Sequence, residues 1–533
     1  MKETILIIGA GPSGLVTAKE ALEAGLDVVV LEKNASIGGV WAEGTGLVWH
    51  SLHTNLSKYS CMFSDFPWPF DADMFPTQVQ LRQYLYQYAV HFKLLPHIRF
   101  NSTVVSLKQH DQQWLAQWRN YTFDHQQSFK LVIVASGFFS EPYMPTLPGL
   151  SKFEGRVLHS AHYKRPDAFR KRKVLIIGGA FSGNEIAADL VTSADKVYSA
   201  FNNPQWILPR YLTVNSANKP LPIDLIFYKR SKQSKSSIIN DKSTMFFNKN
   251  KYLAALAHNQ AIPALTIAKD AYDKPPFVAI SDNYQHWITQ GKIVPLRLQY
   301  AETLTFLPQA VKLQQATYPI DDVIICSGYR AQLPFFEESL LNAIDFDAED
   351  QFQPLLLHRC MFHPKLPNLI FVGMYRGPFF TTIELQARWA VAVLAGKINY
   401  PTQTEMEQGI QEERKIREEV PRMQFPHGNF VEYADRLAHE IGVMPDESRW
   451  YDSTLPIISA QYRLRGLGAK PDIAEQILQE AQTYIRNSQV YTSQTNWVKY
   501  AAWGLFGAAG AAYACSLLKE KNLSALFSTC RNS

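Results

Sequence analysis

The sequence predicts an α/β protein made of two parallel-sheet units, the first interrupted by the second, and three observations predict it. The stretch Thr4-Ile-Leu-Ile-Ile-Gly9 leads through a glycine turn into a helical segment at 15–24 and a second apolar run, Asp27-Val-Val-Val-Leu-Glu32. Buried strand, glycine turn, helix and buried strand make one βαβ unit. The same plan returns about 170 residues later, in Lys173-Val-Leu-Ile-Ile-Gly178, a helix predicted over 184–193 and a strand over 196–201. Two further strings, Leu131-Val-Ile-Val-Ala-Ser-Gly137 and Asp322-Val-Ile-Ile-Cys-Ser-Gly328, each end in Ser-Gly and lie more than 100 residues after their own glycine turn. The simplest arrangement nests the second unit in the first, giving two nested Rossmann-like dinucleotide-binding domains with a C-terminal helical tail.

Bulk composition permits this size and excludes several function classes. The chain has 533 residues, 46% hydrophobic and 19% charged, enough for two or three domains with a large core. A net charge of +5 is small for this length, and no basic-aromatic interleaving suggests a nucleic-acid groove. Cysteines stand at 61, 326, 360, 515 and 530 without a close pair, so a redox disulfide and a CxxC zinc site are not expected and no metal is assigned. A reducing, cytoplasmic location fits, since the first apolar run is too short for a signal peptide.

The glycine turns carry the binding chemistry. In Gly9-Ala-Gly11-Pro12-Ser13-Gly14, Gly9 makes the tight turn, Gly11 admits a pyrophosphate against the backbone, and Gly14 lets helix pack on strand. Pro12 and Ser13 lie in the turn before the helix, whose N-terminal N–H groups favour an anion. Glu32 ends the second strand 23 residues after Gly9, placed to accept from an adenosine ribose. Gly38-Gly39-Val40-Trp41 follows, a pair of glycines that lets the chain pass tightly over the dinucleotide and an indole that can cover a flat ring. The second turn, Gly178-Gly-Ala180-Phe-Ser182-Gly183, carries Ala180 at the middle glycine position. Counting 23 residues from Gly178 reaches Phe201 rather than an acid, which tolerates a 2′-phosphate and favours NADPH over NADH; Arg210 is the nearby cation.

Between the turns stands Phe153-Glu-Gly155-Arg-Val-Leu-His159-Ser160-Ala-His-Tyr163, and here the sequence resembles the flavin-containing monooxygenases, whose fingerprint reads FxGxxxHxxx(F/Y/W). Leu52-His-Thr54-Asn55, Phe63-Ser-Asp-Phe-Pro67, Asp322 to Tyr329 and Leu366 to Gly373 also resemble segments of the branch that oxygenates nitrogen and sulfur, so the likeness covers about residues 1 to 400. Departures are Ala180, the missing Arg near 202, and Ser136 and Ser327 where Thr is usual. The resemblance implies FAD and NADPH as cofactors and a C4a-hydroperoxyflavin that oxygenates soft nucleophilic N or S atoms of small molecules, with O2 as co-substrate. It implies further that Thr54 and Asn55 lie beside the flavin and that Asn55 is the catalytic residue. A neutral amide there can donate and accept without delivering a proton that releases peroxide early. His159 and Tyr163 are read as hinge residues rather than acid and base, and Arg388 as either a flavin-phosphate contact or an ordinary helix cation. The domains that follow are 1–150 and 331–400 for FAD, 151–330 for NADPH with an insertion at about 211–290, and a helical extension at 401–496. Alternatives are Baeyer–Villiger oxygenation, against which Tyr163 speaks because Trp usually stands there, an NAD(P)H oxidase or reductase, and a non-enzymatic scaffold in which Ala180 marks a degraded site.

Linkers are expected at 141–149 and 219–237, where Pro, Lys and Ser are frequent. The tail 497–533 contains 19 uncharged residues at 500–518. That length just spans a bilayer core, so membrane association through 497–518 is expected, with a buried or self-associating helix of a homo-oligomer as the alternative.

Overall fold

The computed structural model describes residues 3–44, 46–213, 219–230, 242–299, 303–446 and 456–488. Strand β1 (Thr4–Ile8), helix α1 (Pro12–Glu23) and β2 (Asp27–Leu31) form the first βαβ unit, followed by β3 (Ile98–Arg99) and β4 (Leu131–Val134). The second unit comprises β5 (Arg156–His159), β6 (Lys173–Ile177), α2 (Phe181–Leu190) and β7 (Lys196–Phe201). A short hairpin, β8 (Tyr211–Leu212) and β9 (Leu221–Pro222), runs directly into α3 (Ile223–Phe227). After β10 (Ile293–Arg297) and β11 (Asp322–Ile325), β12 (Leu369–Phe371) precedes α4 (Phe380–Leu394). Helices α5 (Gln403–Glu418), α6 (Phe430–Glu440) and α7 (Pro471–Ser488) complete the described chain.

Two five-stranded parallel sheets result. The first has the order β12-β4-β1-β2-β3 and the second β10-β7-β6-β11-β5. The strands at the centres read as unbroken apolar runs because both faces are covered: Ile5, Leu6 and Ile7 are fully buried, as are Val174, Leu175 and Ile176. The first sheet takes β12 from sequence beyond the whole second sheet, so the chain leaves it and returns. Glu141–Pro142 pairs antiparallel with Tyr329–Arg330, bringing the outgoing and returning strands together.

Three expectations shift. Helix α1 begins at Pro12 rather than at 15, with Pro at its first position. Helix α2 begins at Phe181 rather than at 184, because Ala180 caps it, and ends at Leu190. The predicted linker from 219 is not one over its described part: the apolar run from Leu221 to Phe227 buries itself as β9 and α3. Helices α6 and α7 pack into the same core as α1 and α4, through Leu437, Ala438, Ile477 and Ala481. Among the described residues no helix is long and apolar enough to cross a membrane. The segment 497–533, on which the membrane expectation rests, lies outside the described residues.

Candidate active site

At the first turn the Gly9 N–H donates to the Leu31 carbonyl at 2.8 Å, bending the chain from β1 into α1. Glu32, 3% exposed, accepts from the Ala10 N–H at 2.7 Å and the Asn34 N–H at 2.8 Å, so its carboxylate braces the turn. Helix α1 starts at Pro12 with Gly11 as a cap that has no side chain to offer, leaving its first N–H groups to an external acceptor. A Cβ on Gly14 would lie 1.9 Å from the Gly9 carbonyl oxygen, which explains the third glycine. Gly39 crosses directly over Gly11, where an added Cβ would stand 3.1 Å from the Gly11 Cα. Val40 and Trp41 complete the 3-10 turn that follows, Trp41 half-buried against the first core. Gly373 closes the far side, since its Cβ would fall 2.3 Å from Ser13 Oγ.

The second turn repeats this geometry. The Gly178 N–H donates to Ala200 O at 2.8 Å, and a Cβ on Gly183 would lie 1.8 Å from the Gly178 carbonyl oxygen. Ala180 caps α2 at φ −91° and ψ −164°, ordinary extended backbone, so the methyl group there costs no strain. Ser182 lies in the first helical turn.

Between the turns the structure assembles a group that sequence spacing could not show. Arg210, 6% exposed, donates through Nη2 to Glu185 at 2.6 Å and through Nη1 to Asp282 at 2.8 Å. Its Nε donates to the Thr54 carbonyl at 3.0 Å, and Nη2 also reaches Asn55 Oδ1 at 3.4 Å. Burial alone would lower its pKa, but the Glu185 and Asp282 carboxylates raise it, so the guanidinium stays charged. This differs from the expectation that Arg210 serves a 2′-phosphate, because two carboxylates and the Asn55 loop already take its donors. Glu185 and Asp282 were not legible as site residues: they lie 25 and 72 positions from Arg210 in chain order and match no motif.

His159 and Tyr163 are engaged in structure. His159 Nε2 stands 3.0 Å from the Gly328 carbonyl, its Nδ1 accepts from the Ala161 N–H, and burial lowers its pKa. Tyr163 is fully buried and donates to Asp189 at 2.6 Å. Arg388, on α4, is 3% exposed and donates to the carbonyls of Tyr462 and Leu467, tying down the C-terminal segment. Among the described residues two clusters have metal-ligand types. Lys19, Arg463 and Lys470 fill the one formed by Glu20, Glu23 and Asp65. In the other, His427 Nε2 lies 2.8 Å from Glu413 and 3.4 Å from Cys360 Sγ.

The chain is similar to known proteins over nearly its whole length. A family profile described as flavin-binding monooxygenase-like matches residues 2–503. Dimethylaniline monooxygenase [N-oxide-forming] 2 of Rattus norvegicus is 28% identical over 529 residues, covering 93% of this chain and 95% of that protein. Among solved structures, S-allyl-L-cysteine S-oxygenase from Allium sativum aligns with a TM-score of 0.59 at 21% identity, over 94% of this chain and 98% of that one. NADP+-bound cyclohexanone monooxygenase from Rhodococcus sp. Phi1 aligns with a TM-score of 0.61 at 17% identity, over 83% of this chain and 98% of that one. The two sheets, their paired glycine turns and this match together place the chain in the flavin-binding monooxygenase-like family, as a flavin-dependent monooxygenase that uses FAD and NADPH.

Proposed function

We infer that the chain oxygenates soft nucleophilic nitrogen or sulfur atoms of small molecules, with FAD on the first sheet and NADPH on the second. The domains at 1–150 and 331–400 then form the flavin unit and 151–330 the nicotinamide unit. One observation carries the reading: Arg210 joins the Thr54–Asn55 loop to Glu185 on α2, so the amide stands at the seam between the two turns. The first turn fits a pyrophosphate, because its helix cap is bare and Gly39 and Gly373 keep the chain close around it where a side chain would collide. The N-oxide-forming activity in the name of the Rattus norvegicus relative supports nitrogen as a substrate atom.

Bound FAD, once reduced by NADPH, supplies the oxygen-activating chemistry. The protein's own part is position and dryness. Arg210 holds Asn55 Oδ1, which leaves the Nδ2 group as the donor end of that amide. A carboxylate or imidazole in its place would bring a titratable proton, and Asn brings none.

Rapid mixing tests the proposal. The flavin is reduced anaerobically with NADPH, oxygen is added without substrate, and the spectrum is followed. A persistent species distinct from both oxidised and reduced flavin, decaying faster with an amine or sulfide, is the expected result. Immediate return to oxidised flavin with stoichiometric peroxide would mean an oxidase or reductase. Asn55→Ala should lower product formed per NADPH roughly 100-fold, at the lower end of the usual cost of one well-placed donor. Unchanged coupling in that variant would remove Asn55 from the site.

A further inference from the structure

The loop that carries Asn55 is gripped a second time, by a carboxylate from a distant part of the chain. Asp224, at the start of α3, is 1% exposed. Its Oδ1 accepts from the Ser57 N–H at 3.0 Å, and its Oδ2 accepts from the Ser57 hydroxyl and the Ser60 hydroxyl, each at 2.6 Å. These donors begin two residues after Asn55 and span a turn of the loop, where Ser60 N and Cys61 N both bond back to Ser57 O. Among the described residues no cation pairs with Asp224, and three donors from one loop hold the carboxylate.

Arg210 and Asp224 belong to one device. They flank the β8–β9 hairpin, and the Ile223 N–H donates to Arg210 O at 2.9 Å, fixing the two ends of the hairpin to each other. The Arg210 end holds Thr54 and Asn55, and the Asp224 end holds Ser57 and Ser60. The loop meets other partners on its outer side, Lys58 and Tyr59 both reaching Glu480 on α7. Those contacts run to a carboxylate that is 26% exposed, whereas the Asp224 carboxylate is buried and hydrogen-bonded through both oxygens. A buried carboxylate is costly unless each donor is in place, so the arrangement tolerates few loop conformations.

We propose that Asp224 is a positioning residue for the oxygenation step, setting the place of the Asn55 amide by clamping Ser57 and Ser60. The inference rests on the reading of Asn55 given above. It acts through loop geometry and not by contact with substrate or cofactor. Asp224→Ala strands the Ser57 N–H and frees the loop. Asp224→Asn keeps an acceptor for that N–H, and the serine hydroxyls can turn to accept from its Nδ2 group.

The test uses the full-length holoenzyme with two readouts. Hydrogen exchange followed by mass spectrometry reports the peptide containing 54–62, and the ratio of peroxide released to NADPH consumed reports coupling. Asp224→Ala should raise exchange in that peptide about tenfold, with peptides from both sheets unchanged, and should raise the peroxide fraction several-fold. Flavin reduction by NADPH should stay within about twofold of the parent, and Asp224→Asn should recover most of both losses. Faster exchange with normal coupling, or poor coupling with normal exchange, would overturn the proposal, as would no change in either. If Asp224→Ala does not fold, Ser60→Ala removes one of the three donors and should give the same paired change at smaller size; normal values in both readouts would be equally fatal. Asn55→Ala, run alongside, should uncouple the enzyme without raising exchange. If it leaves coupling intact, the reading of Asn55 fails, and that result is separable from anything seen at Asp224.

Discussion

Gly14→Ala should yield protein that purifies without its yellow flavin, whereas Gly183→Ala should retain flavin that NADPH no longer reduces. The methyl group in each variant would sit inside contact distance of a carbonyl, 1.9 Å from Gly9 O in one and 1.8 Å from Gly178 O in the other. Neither carbonyl can retreat, because Gly9 and Gly178 are tied through their N–H groups to Leu31 and Ala200. The helix must therefore lift from its strand, carrying its N-terminal N–H groups away from the pyrophosphate. Overpacking of this kind costs about 1–3 kcal/mol, which corresponds to roughly fivefold to 150-fold weaker binding if it falls on the ligand. Flavin content by absorbance and flavin reduction under anaerobic mixing read the two variants, with circular dichroism confirming that each sheet has formed. The reverse pattern, flavin lost from Gly183→Ala and nicotinamide reduction lost from Gly14→Ala, would exchange the two assignments.

Arg463→Met should be the most destabilising single change in the C-terminal part. Arg463 is fully buried and pairs with Glu20, Asp65 and Glu384, while Lys19, itself 1% exposed, pairs with Glu20 and Asp65. Removing one partner of such a group leaves carboxylates buried without compensation, at about 3–5 kcal/mol. Thermal melting of the holoenzyme followed by flavin release checks this, and a fall of only a degree or so would show the cluster to be redundant. The acid limb should move as well. Burial alone would raise the Glu20 and Asp65 carboxyls, but Arg463 and Lys19 hold both below the ordinary carboxylate range. Their contribution to stability is thus present above the unfolded carboxylate pKa of about 4 and lost as pH falls towards the depressed folded values. Glu384 works the other way, since burial raises its carboxyl. Without Arg463 the depression shrinks, so the onset of acid unfolding should shift to higher pH.

How much was readable beforehand depends on the range over which each feature is encoded. The βαβ units were legible because strand, turn, helix and strand lie within 30 residues and each glycine answers a local steric demand, as at Gly14 and Gly183. The roles implied for Asn55 and Thr54 came from a short segment that resembles a known family, and the chain's membership of that family followed from the same kind of pattern. Boundaries were less secure. The start of α2 slipped by three residues because Ala180, which has no capping side chain, gives no helix-start signal.

Sequence alone determined what is local and periodic: two dinucleotide turns, their parallel strands, and the class of chemistry that such a pair serves. Only the tertiary structure decided which side chains hold the seam. Glu185, Asp282 and Arg210 meet there, Asp224 reaches across 167 positions to Ser57, and Arg463 across 443 to Glu20. Arg210, read from sequence as the cation near the second dinucleotide turn, turned instead to protein acceptors. The reason is physical: a buried ion must find its partner in space, and no periodicity along the chain records which partner that is.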